Sequence, residues 1–171
     1  MSEPVWARAQ RRLHWGMAAL VAAGFAIGLI MVDLPISALA AKILAYQLHK
    51  SLGLLVLPLL AWRLWLRARR AAPSAGRAAR IGQGALYALL LAVPLLGYLV
   101  ASLAPGGVPT TLFLVIPVPH LLATDPALHA ALVPIHRAAA WALVVLAIGH
   151  AGLAVAHHRA GRRELRAMWR G

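Results

Sequence analysis

Four of the chain's eight histidines stand in or beside long apolar runs: His14, His49, His136 and His150. An imidazole can bind a metal through a ring nitrogen, and it can carry a proton near neutral pH. An ionisable side chain inside an apolar span is costly to bury and is a functional candidate on that ground. The spacing adds to this. His136 and His150 are fourteen residues apart, close to four helical turns. On one helix they would project from nearly the same face, about 21 Å apart. Such a helix offers two ligand positions at two depths, and each needs a partner.

The sequence contains no cysteine. That removes disulfides, iron–sulfur clusters, thiolate-ligated haem and covalent C-x-x-C-H attachment. A haem could only be held non-covalently, through histidine.

The elements that carry these histidines are apolar and long. The 171 residues are 62% hydrophobic with a mean hydropathy of +0.77, well above a soluble domain. About 20 apolar residues cross a hydrocarbon core. Four stretches qualify, at about 13–34, 48–66, 84–104 and 133–156. The expected fold is all-α: a single-domain integral membrane four-helix bundle covering 1–171. The first stretch is too long for a signal-peptide core, so it reads as a permanent span. Fourteen of the 17 Lys and Arg fall before span one, around the link between spans two and three, and after span four. By the positive-inside rule both termini are expected in the cytoplasm, in an inner membrane. Lys42, Lys50 and Arg137 are the positive residues left on the outer side. No basic face interleaved with aromatics is visible, so nucleic acid is not an expected partner. The first outer connection, roughly 35–47, is short. The second, about 105–132, is long, apolar and proline-rich, and is expected to form a lid over the outer end.

Placed on these spans, the histidines pair by depth. His14 opens span one at the cytoplasmic side, level with His150. His49 opens span two at the outer side, level with His136. Two opposed imidazoles on facing helices suit the two axial positions of a haem. Gly16, Gly53, Ala138 to Ala140, Gly149 and Gly152 would give a flat macrocycle clearance. Zinc fits poorly, because it wants three or four protein ligands at one point. The expected cofactors are therefore two b-type haems in sites between helices, on the pairs His14–His150 and His49–His136. Gly24 and Gly28 form a G-x-x-x-G that permits close helix approach or room for a cofactor. Pro58 and Pro94 are expected to kink spans two and three.

The order and spacing of short motifs resemble the bacterial cytochrome b561 family, the four-span dihaem type, from about Arg12 to Met168. Span one opens R-L-H-W at Arg12 to Trp15. Span two reads H-K-S-x-G at His49 to Gly53, with Arg63 fourteen residues past the histidine. Span three carries Tyr87, Pro94 and Gly97. Span four has the two histidines fourteen apart, then A-H-H at Ala156 to His158. The resemblance implies haem-iron ligation by His14, His49, His136 and His150, and electron exchange with ubiquinone or a related membrane quinone. It also implies either a self-standing oxidoreductase of the superoxide-to-quinone type or a haem subunit anchoring a larger dehydrogenase or hydrogenase. A homodimer stays open.

The remaining polar residues have two readings each. Arg63 points inward and could hold a haem propionate, or be a plain positive-inside charge; Arg12 has the same pair of readings. Lys50 and Arg137 directly follow outer histidines. They could bind propionates or attract an anion such as superoxide, or pair with lipid, Asp33 or Asp125. His120 and His129 could replace His136 or line a pocket. His157, a heptad past His150, could help a proton leave during quinol chemistry, or His157 and His158 could simply sit at the interface. Trp15, Trp62, Trp65 and Trp141 suit interfacial belts. A haem-free transporter would need a polar path through the spans, which they lack, and an assembly protein would tolerate loss of the histidines.

Overall fold

The computed structural model describes residues 8–69, 76–106, 108–161 and 164–170. Of the arginines used to orient the chain, Arg70, Arg162 and Arg163 lie outside these. Five helices and one hairpin follow in order: α1 (Arg8–Asp33), α2 (Leu39–Ala68), α3 (Arg77–Leu103), strands β1 (Thr110–Leu112) and β2 (Ile116–Val118), α4 (Pro126–Arg159) and α5 (Glu164–Arg170). A 3-10 turn over Ile36–Ala38 leads into α2. Four helical segments are long and apolar enough to cross a membrane: Arg8–Asp33, Ile36–Ala68, Arg77–Leu103 and Pro126–Arg159.

All four spanning helices begin earlier than the apolar runs suggest, and α2, α3 and α4 each do so for a local reason. The stretch ahead of His49 is rich in Ala and Leu, which favour helix, so α2 starts at Leu39. Lys42 Nζ then turns back onto the Val32 and Leu34 carbonyls at the end of α1, satisfying exposed acceptors there. The first outer connection is thereby cut to a few residues. The start of α4 is set by Asp125, whose side chain accepts from Leu128 N at 3.0 Å, followed by proline at the first helical position. This cap-and-proline start moves residues 126–132 out of the expected loop and into the helix. α3 begins at Arg77, its basic first turn lying outside the apolar run. α2 and α3 continue through Pro58 and Pro94, as spans with packed neighbours can. The short α5 had no expectation; it follows α4, and its Trp169 meets the Trp15 ring edge-on at 5.0 Å, while Trp15 Nε1 donates to the Met168 carbonyl.

The close helix partnerships are α1 with α2, α3 with α4, and α2 with α3. This alternating path gathers the ends of the helices rich in arginine at one end of the bundle. A small apolar core of Leu13, Met17, Val56 and Leu60 joins α1 to α2. Most other large apolar side chains face outward, as a bilayer solvent demands. The most deeply buried side chains are polar: Ser51, Ser102 and Thr110. Polar groups in a span are driven inward because lipid offers them no hydrogen bond.

Between α3 and α4 lies the hairpin, antiparallel with Thr110 opposite Val118 and Leu112 opposite Ile116. Phe113 and Leu114 turn it with φ of 49° and 64°, a left-handed region that costs non-glycine residues about 1–2 kcal/mol each. Contacts to α2 hold it there: Ser51 Oγ accepts from Phe113 N at 2.8 Å, and Gln47 brackets Thr111 N and the Pro109 carbonyl.

Candidate functional site

α4 does not pack closely on α1 or α2; rings bridge the gaps instead. The His14 and His150 centroids are 6.3 Å apart, their planes crossing at 67°. The His49 and His136 centroids are 6.2 Å apart, with planes at 86°. Phe25 meets Trp141 between them, edge-on at 4.8 Å. The structure thus brings all four histidines into two facing pairs at the two ends of α4. Among the described residues no three His, Cys, Asp or Glu gather around one point. A bare metal ion would lack ligands at either pair.

The pair far from the arginines is seated on glycine. His49 Nδ1 lies 2.8 Å from the Gly24 carbonyl. A carbonyl only accepts, so Nδ1 carries the hydrogen and Nε2 keeps its lone pair. A Cβ at Gly28 would come within 2.9 Å of His49 Cε1, and one at Gly97 within 3.1 Å of His136 Cε1. The G-x-x-x-G of α1 therefore admits the His49 ring, and Gly97 of α3 does the same for His136. Nδ1 of His136 is buried and reaches no partner, although the Val93 carbonyl is the backbone group offered to it.

At the arginine-rich end the support is a side chain. Arg63 Nη2 donates to His14 Nδ1 at 3.1 Å, and its Nε donates to Tyr87 Oη at 3.4 Å. Arg67 lies above the same tyrosine, 5.6 Å from the ring centre, and bonds Gln83. His150 is exposed beside Gly149 and Gly152, and a Cβ at Gly16, Gly53, Gly149 or Gly152 would touch nothing within 4 Å. These glycines leave open surface next to their histidines.

Other candidates are engaged elsewhere. His129 Nδ1 bonds the Val100 carbonyl at 2.9 Å, and His120 Nε2 meets Thr110 Oγ1 at 3.0 Å. Neither faces His49. Lys50 is half-buried and close enough to His120 to act on it: burial first, and then the Lys50 charge, push the His120 imidazole below its ordinary value. Asp125 is spent as the α4 cap. Arg12, Arg137, His157 and His158 are exposed, and Arg12 does not join the His14–Arg63 group. Sequence reasoning passed over Gln47 and Ser51. Two polar residues one helical turn apart in an apolar span were the signal for them.

A family model described as prokaryotic cytochrome b561 matches residues 5–171. Cytochrome b561 homolog 2 of Escherichia coli (strain K12) is 35% identical over 154 residues, covering 85% of this chain and 80% of that protein. The chain belongs to the prokaryotic cytochrome b561 family. It is accordingly a multi-pass bacterial membrane protein of a family that binds haem b.

Proposed function

We propose that the chain is a dihaem b-type membrane cytochrome that passes electrons between the membrane quinone pool and a second redox partner. The observation that carries this reading is the spacing of the two histidine pairs. Metal–nitrogen bonds are about 2.0–2.1 Å, and with about 1.1 Å from each nitrogen to its ring centre, one shared metal sets centroids about 6.3 Å apart. Both pairs stand at that separation. With two protein ligands each and no third, they suit a metal whose remaining ligands come from a flat macrocycle. The orphaned Nδ1 of buried His136 and the open glycine surface beside His150 agree with it.

Bound there, two haems supply reversible one-electron transfer. The protein's part is to hold and tune them. His14 with His150 and His49 with His136 would hold the two irons between facing imidazoles. Gly24 orients His49, a supporting contact that typically strengthens a ligand. Arg63 is the cation beside the first pair and is suited to a propionate. The described arginines other than Arg137, with Trp62 and Trp65, mark the end read as cytoplasmic, with both termini inside. At the other end, Lys50 and exposed Arg137 make the approach to His49 and His136 attractive to a small anionic donor, superoxide being the simplest.

The test is a reduced-minus-oxidised visible spectrum of detergent-purified protein with haem counted per chain. Two b haems are expected in the parent, and one each in His14→Ala and His136→Ala. Protein made with ample haem supply that binds none would overturn the reading.

A further inference from the structure

Among the described residues, the connection between α3 and α4 is an irregular stretch of backbone packed against α2. From residue 108 to 124 it contains no Lys, Arg, Asp or Glu. Its large apolar side chains point outward: Phe113, Leu114, Val115, Ile116, Leu121 and Leu122 are exposed, with Val115 and Leu121 at 78%. A lid in water would rarely present so continuous an apolar surface.

Two helices measure its depth. Phe113 is hydrogen-bonded to Ser51, which lies sixteen residues along α2 from Arg67 at the arginine-rich end. At about 1.5 Å per residue that is about 24 Å. On α1, Gly28 lies beneath His49 and is likewise sixteen residues from Arg12. The hydrocarbon core is about 30 Å thick. The hairpin turn therefore lies some 6 Å inside the far boundary by either ruler. Helix tilt, or a boundary drawn at the exposed Trp62 and Trp65, moves it deeper.

Backbone at such a depth must find its partners within the protein, and several groups of this segment do. Gln47 takes Thr111 N and the Pro109 carbonyl. Ser51 takes Phe113 N, Val115 N bonds the Leu112 carbonyl, and Tyr98 Oη bridges the Pro119 carbonyl and Leu121 N. Pro109, Pro117 and Pro119 have no N–H to satisfy.

We propose that Pro109–Leu122 is a re-entrant element seated among the lipid acyl chains of the leaflet opposite the arginine-rich end. Phe113 to Ile116 face lipid, while Gln47 and Ser51 anchor the inner side. The element packs on α2 through Gln47 and Ser51. It rests on the four spans and not on any cofactor.

The cysteine-free chain allows single labels. Leu114→Cys and Val115→Cys, with Ser37→Cys in the other connection as control, would carry an environment-sensitive fluorophore in phosphatidylcholine–phosphatidylglycerol vesicles. Lipids brominated on the acyl chain should quench the two hairpin labels strongly, and aqueous iodide should quench them several-fold less than the control. Iodide quenching equal to the control would make the segment an aqueous lid and overturn the proposal. Shielding from both quenchers would overturn it in favour of a protein cover, a second copy or another subunit. On the unaltered chain, a carbene photolabel dissolved in the lipid should mark the peptide holding Phe113 to Ile116, and an unmarked peptide would likewise overturn it.

Discussion

The two histidine pairs share one helix and nearly one centroid distance, yet they are supported in opposite ways. At the far end, backbone does the holding: the Gly24 carbonyl takes the His49 Nδ1 hydrogen, and Gly28 and Gly97 give both rings their space. At the arginine-rich end a charged side chain does it. Arginine has donors only, so His14 Nδ1 must accept from Arg63, and the hydrogen of a neutral His14 ring is on Nε2. His49 is already in the tautomer that offers Nε2 to a metal. His14 reaches that state only when Arg63 releases Nδ1, which a carboxylate on the cofactor would prompt. On the proposed haem reading, one site is preorganised by the fold and the other would be completed by its ligand.

Steric change should separate the two ends most sharply. Gly28→Val puts a branched side chain where even a Cβ would be 2.9 Å from His49. It should cost the protein about half its haem, the far-end half. Gly16→Ala, whose Cβ meets nothing, should cost none. Equal loss in both variants would end the distinction.

Charge removal comes next. Arg63→Gln should leave the far pair untouched and weaken haem retention at the near pair by about tenfold, the worth of one charge-assisted hydrogen bond. It should also lower the midpoint potential of a single haem, because a nearby cation disfavours the oxidised metal. A redox titration resolving two components checks this, and a shift in both components would show that the sites are not independently supported.

A smaller effect is expected from the hairpin anchor. Ser51→Ala leaves Phe113 N without its partner, at about 1–3 kcal/mol. Thermal unfolding and faster amide exchange at Phe113 would read it, with the His14 end unchanged.

Much of this was legible in the residues. Apolar run length gives four spans, because a bilayer sets a length no other solvent sets. The fourteen-residue interval puts His136 and His150 on one face, because helix geometry is rigid. The absence of cysteine made histidine the candidate ligand. Helix starts were less legible: Asp125–Pro126 is a start signal, but it lay in a stretch read as loop.

What the sequence determined by itself was local and periodic: spans, faces, depth order and the pairing of histidines that follows from depth. What only the tertiary structure decided was which small and polar residues of other helices meet those rings. Gly24, Gly28, Gly97, Arg63, Gln47 and Ser51 are distant in sequence from what they touch. Their roles depend on helix rotation and close approach, and these come from side-chain packing between spans, which no single span encodes.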